Sequence, residues 1–125
     1  MYESIIDVIN RGIPIEFADT DYTLSAIDNN TCIYMTYDQS TLTIPSDVGF
    51  IMGSKITIVT GYISNYIRLI SEDTSTIIMA NGLESDYAFG LYPNSLLTLF
   101  YVDINVWMVK GRVIPKNSIT DFYDL

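Results

Sequence analysis

A chain of 125 residues, 49% apolar and only 17% charged, is sized for one hydrophobic core and does not read as disordered. Fifteen Asp and Glu against six Lys and Arg give a formal charge of −9. The cations are scattered at Arg11, Lys55, Arg68, Lys110, Arg112 and Lys116, so neither a nucleic-acid face nor an anionic-membrane face is built. Histidine is absent, which removes the commonest general base and metal ligand, and the single Cys32 can form no internal disulfide and has no activating partner. The composition therefore argues against an enzyme and implies no cofactor and no metal. Ile, Val, Thr and ten Tyr dominate the interior-type residues, a palette that suits strands.

In chain order, MYESIIDVINRGIPI is the one helix candidate. Ile5, Ile6, Ile9 and Ile13 recur near helical spacing, Gly12 is placed to stop the helix, and Pro14 follows. Residues 1–20 are accordingly expected to form an arm or short helix that docks on its own domain or grips a neighbour, with Ile5 and Ile9 as contact candidates. Residues 21–114 are expected to form a β-domain, and residues 115–125 a tail. Strands are predicted at Tyr22–Ala26, Thr31–Tyr37, Thr41–Ile44, Lys55–Thr60, Asn65–Ser71, Ser75–Ala80, Leu96–Val102 and Val106–Lys110. Asp38–Ser40 reads as a hairpin turn between the second and third of these, and Asn81–Gly82 as closing a later hairpin. The expected fold is all-β: a small antiparallel β-sandwich or barrel-like domain with a short N-terminal helix or arm. The first residues are acidic and no apolar run nears the roughly 20 residues of a membrane helix, so the sequence suggests assembly in a cytoplasm.

Alternation along the strands is uneven. Thr41–Ile44 is two-faced, with Leu42 and Ile44 inward, whereas Leu96–Val102 and Val106–Val109 are apolar at successive positions. One face of each sheet in a two-layer domain meets water, so doubly apolar strands predict cover by another subunit. The contact candidates are Leu97, Leu99, Phe100, Tyr101 and Trp107.

The carboxylates suggest little chemistry. Asp19 and Asp21, with Asp28 nearby, lack the oxygen spacing and turn glycine of a calcium loop. Glu72 with Asp73, and Glu84 with Asp86, lie in turns where carboxylates simply prefer water. The tyrosines support an alternative reading, a module that stacks host-surface glycans on Tyr62 and Tyr66 or on Tyr87 and Tyr92. Tyrosine is equally at home in subunit interfaces.

Several features recur in a set order: Tyr22–Leu24, the Asp28–Asn30 turn, Thr43–Pro45, Gly53 before the Ile56–Val59 run, and Asn105 and Trp107 ahead of Gly111. Together, from Asp21 to Val113, they resemble a domain of bacteriophage virion proteins found in head- and tail-fibre components. Between Gly61 and Ala80 the chain departs from that pattern, with Tyr62, Tyr66 and Arg68 where small residues repeat. The resemblance implies a structural protein of the virion, a capsid decoration or head fibre, or a tail fibre-adaptor. It also implies self-association as a homotrimer and docking on capsid or tail proteins after assembly in the host cytoplasm. On this reading Pro45 ends a strand, Gly53 lets the chain return, and Trp107 is a large anchor with Gly111 at a close approach behind it.

Overall fold

The computed structural model describes residues 13–46, 49–80, 82–83 and 85–119. Its strands are β1 (Ile15–Ala18), β2 (Tyr22–Thr23), β3 (Cys32–Met35), β4 (Thr41–Ile44), β5 (Lys55–Thr60) and β6 (Ile67–Ser71). They continue with β7 (Ile77–Ala80), β8 (Ala88–Leu91), β9 (Leu96–Asp103), β10 (Val106–Lys110) and β11 (Val113–Pro115). Two 3-10 turns, Ala26–Asp28 and Lys116–Ser118, complete the described elements. The protein is all-β in class, with one sheet in the order β1-β3-β5-β9-β10-β7 and another in the order β11-β8-β6-β4-β2.

The topology differs from the antiparallel arrangement expected. From β1 to β6 the chain changes sheet at every strand, so β1, β3 and β5 run parallel in one sheet while β2, β4 and β6 run parallel in the other. Parallel neighbours need a crossover, commonly a helix; here the strand in the opposite sheet serves as the crossover. The predicted Asp38–Ser40 hairpin is therefore a corner between sheets, since β3 and β4 do not pair. The Pro45–Gly53 break likewise carries the chain from β4 to β5 across the sheets and does not return it beside its predecessor. β6 and β7 also part into different sheets, so the hairpin expected there is absent. β8, β9 and β11 add the antiparallel pairings, and β9–β10 is the hairpin the sequence indicated.

Three strands escaped the sequence reading. β1 lies inside the segment expected to be an arm, yet it pairs residue for residue with β3 from Ile15↔Cys32 to Ala18↔Met35. β8 (Ala88–Leu91) is a glycine-containing run of four buried residues, and β11 reaches Pro115. The expected helix over Ile5 and Ile9 falls outside the described residues.

One core joins the two sheets. Leu42, Ile44, Ile67, Leu69, Phe89 and Leu91 meet Ile33, Met35, Ile56, Ile58, Leu97, Leu99, Trp107 and Val109. Trp107 is 1% exposed, with Phe50 edge-on at 4.9 Å and Tyr101 at 5.0 Å. Gly111 permits the close passage of β9 behind this tryptophan: its φ is +138°, and a Cβ there would stand 2.7 Å from Leu97 Cβ. At the far end of the five-stranded sheet, Asp28 is buried and accepts the Tyr22 hydroxyl at 2.9 Å and the Ser25 N–H at 2.9 Å. Burial, then the hydrogen bond and charge of Asp28, push the Tyr22 pKa up to about 12.

A second, smaller cluster lies on the outer side of the five-stranded sheet. Tyr66 and Ala88 are buried there beneath Ile70, Ile114 and Ile119, the last lying just beyond the Lys116–Ser118 turn. Gly90 makes room for this cover, because a Cβ on it would come within 2.6 Å of Ile119 Cδ1 and 3.2 Å of Ile114 Cβ. Arg68 shares this side and is 2% exposed, with its Nε donating to Thr41 Oγ1 at 3.2 Å and its Nη2 donating to the Gln39 carbonyl.

Candidate interaction surface

Register and alternation define the outer side of the six-stranded sheet. Ile56 and Ile58 of β5 are inward, so Lys55, Thr57 and Val59 are outward. The pairings carry this parity across the sheet. One row reads Phe17, Tyr34, Val59, Leu96 on β1, β3, β5 and β9. The next reads Ile15, Cys32, Thr57, Thr98, Lys110, and a third reads Lys55, Phe100, Met108, Met79. Phe17 and Tyr34 lie with ring centroids 5.7 Å apart, and Phe100 and Met108 border a shallow depression of about 310 Å³ with Lys110.

The charge pattern of this face is as telling as its hydrophobicity. No Asp or Glu stands in the three rows, although the chain carries fifteen, and the two charges present are Lys55 and Lys110. Leu96 is 68% exposed and Phe17 67%, while Tyr34, Val59, Phe100, Met108 and Met79 are half-buried by their neighbours on the sheet. Cys32 sits buried in the middle row, where burial pushes its thiol pKa up and keeps it protonated.

The contact residues named from sequence divide between the two sides. Leu97, Leu99 and Trp107 are almost wholly inside the subunit, and half-buried Tyr101 packs against the same core, so these four supply no outer surface. Phe100 alone of that set faces out. The doubly apolar reading of β9 holds as a pattern, but its outward members are Leu96, Thr98 and Phe100. What sequence reasoning missed was the contribution of Ile15, Phe17, Tyr34, Val59 and Met79. These sit on strands far apart in the chain, and only the register brings them into rows.

The tyrosines named for sugar stacking are dispersed in their environments. Tyr62 is 95% exposed, but Tyr66 on the same loop is buried beneath the C-terminal cover, so that loop presents one free ring. Tyr87 is exposed, and the Tyr92 ring has the Arg112 guanidinium 4.5 Å from its centroid. Among the carboxylates, Asp73 accepts from the Ser75 hydroxyl, from the Ser75 N–H at 2.8 Å and from the Ser46 hydroxyl at 2.8 Å, bonds that lower its pKa. Asp86 faces Lys116 at 3.4 Å. Among the described residues no group of three or more acidic or cysteine side chains is arranged to hold a metal ion.

No family model, no curated protein and no solved structure matches this chain.

Proposed function

We propose that this protein is a structural component of a bacteriophage virion, a sandwich of two sheets that self-associates through the outer side of the six-stranded sheet. The observation that carries the reading is the block of three neighbouring, mainly apolar rows without a carboxylate, bounded by Asp103 in the row beyond, in a chain whose net charge is −9. Six strands about 4.8 Å apart and about five residues of about 3.3 Å give a patch of about 24 by 16 Å. That is large enough to form the apolar centre of a standard interface of about 800 Å² per partner. A contiguous patch of this kind on a small domain marks a contact surface more often than a solvent face. The sequence resemblance supplies the rest of the proposal: a homotrimer, docked as a capsid decoration, head fibre or tail fibre-adaptor on a larger shell.

Molar mass measured by light scattering at micromolar concentration tests this. A trimer, or trimers joined further through their strand edges, is expected for the unaltered chain, with loss of the trimeric contact in Phe100→Glu and Met108→Glu; a clean monomer for the unaltered chain overturns the proposal. Recognition of a host-surface glycan would rest on the exposed rings of Tyr62 and Tyr87. Glycan-array binding that is lost in Tyr62→Ala would favour it.

A further inference from the structure

The edge of the six-stranded sheet at β1 carries a second, separate feature. Cys32 N–H donates to the Pro14 carbonyl at 2.9 Å and Thr36 N–H donates to the Ala18 carbonyl at 3.2 Å. Even-numbered residues of this segment therefore turn their backbone toward β3, and the alternation of an extended chain turns Ile13, Ile15 and Phe17 the other way. Among the described residues no hydrogen bond reaches the backbone groups of these three across the open edge. Pro14, which lacks an N–H, sits at a position whose N–H would not have served that edge.

The other edges are managed. β7 is closed by a two-bond bridge, Ile78 N–H to Asp86 carbonyl at 2.9 Å and Asp86 N–H to Ile78 carbonyl at 3.0 Å. β11 ends in Pro115, and β2 is only two residues long. An edge blunted by proline, brevity or a local bridge resists pairing, whereas among the described residues none of these guards the free side of β1. Its outward side chains Ile13, Ile15 and Phe17 are 56%, 56% and 67% exposed, and no lysine guards them.

We infer that β1 pairs with β1 of a second copy, antiparallel about a two-fold axis at Ile15, joining two six-stranded sheets into one. The register follows from charge and from the alternation of backbone groups. Centring on Ile15 matches Ile13 with Phe17 of the other copy and Ile15 with itself, three pairs whose backbones all point across the edge. It places apolar side chains opposite one another on the outer side and sets Glu16 against Pro14. Centring on Glu16 brings two carboxylates directly opposite in the closer, non-hydrogen-bonded type of pair, which is destabilising. Centring on Phe17 puts Ile15 against Asp19. A strand that fits itself well in one register specifies a second copy as its partner.

This pairing uses the edge and leaves the outer face free, so it is tested in a Phe100→Glu background, where loss of face contact does not affect the outcome. Cys32 is first replaced by Ala, because it lies beside Ile15 in the ladder and would capture a new thiol there. Mild oxidation is then expected to cross-link Ile15→Cys into a covalent dimer. Residues facing each other in a hydrogen-bonded pair stand about 5.5 Å apart, within disulfide reach. Phe17→Cys is expected to stay uncross-linked, because its copies are offset by about four residues. Cross-linking of Phe17→Cys, or none at Ile15→Cys, overturns the assignment. As a check without cysteine, Ile15→Pro removes an edge N–H while sparing the β3 ladder. It should weaken dimerisation on the order of 10- to 100-fold, two hydrogen bonds being lost across the axis. In the unaltered chain, the amides of Ile13, Ile15 and Phe17 should gain exchange protection as concentration rises; fast exchange at every concentration also overturns it.

Discussion

The outer sides of the two sheets receive opposite treatment from one chain. On the five-stranded sheet, small residues Ala88 and Gly90 make a trough, and Ile114 and Ile119 settle into it over Tyr66 and Ile70. On the six-stranded sheet the equivalent side is at least as apolar, with Phe17, Tyr34, Val59, Leu96, Phe100 and Met108, and no described residue folds over it. The contrast teaches that burying a sheet face is within the means of this fold. The described residues leave the other face of that character open, and the proposed self-association would supply its cover.

The sharpest way to break the comparison is to attack the inner side of the same hairpin that bears the uncovered face. Trp107→Ala should cost about 3–5 kcal/mol in denaturant unfolding, and Leu97→Ala about 2–5 kcal/mol, since both are buried in the core. A cost under about 1 kcal/mol would mean that these side chains are not the interior described. Next, Gly90→Val should destabilise the chain by about 1–3 kcal/mol by lifting Ile119 and Ile114 off the five-stranded sheet. Limited proteolysis beyond Ile114 should accelerate in step.

An alkaline titration probes the far margin of the same sheet. The Tyr22 pKa is raised in the folded state from 10.0 to about 12, so its neutral form is the one the fold favours. The stabilisation is complete below pH 10 and is lost as pH climbs from 10 to 12. Melting temperature followed over that window should fall less steeply in Tyr22→Phe than in the unaltered chain. The smallest effect on folding is expected on the uncovered face itself. Phe100→Glu should change unfolding free energy by no more than about 0.5 kcal/mol while removing the face-to-face contact and leaving the β1 edge pairing, a split that no core position would show.

Class and strand content were readable from composition, because β-branched residues and tyrosines broken by Asn, Asp, Gly and Pro leave few other structures. The β9–β10 hairpin was readable too, since its strands are long and adjacent and its turn is Asp103–Asn105. Partner choice elsewhere was not. Thr31–Tyr37 and Thr41–Ile44 look like a hairpin at any local inspection, and only the shared core decides that they belong to different sheets. β1 was hidden by Pro14, which reads as a stop even though its missing N–H falls where none is needed. The candidate surface was half legible. The apolar run of β9 was readable, but doubly apolar strands do not announce which side faces the core, and Leu97, Leu99 and Trp107 proved to be its interior.

The alternating path of β1 to β6 has a consequence for how the molecule comes into being. Ile15 meets Cys32, 17 positions on, Cys32 meets Thr57, 25 positions on, and Leu42 meets Leu69, 27 positions on. Among the described strands, only β9 and β10 pair as sequence neighbours. Topologies so poor in local contacts fold slowly, because loop closure precedes any reward. β5 waits for β9 on one flank, so residues to about Phe100 must have been made before the middle of the six-stranded sheet can close. Until those distant partners meet, β1 to β6 remain unpaired, and the β9–β10 hairpin is the pairing that local closure favours.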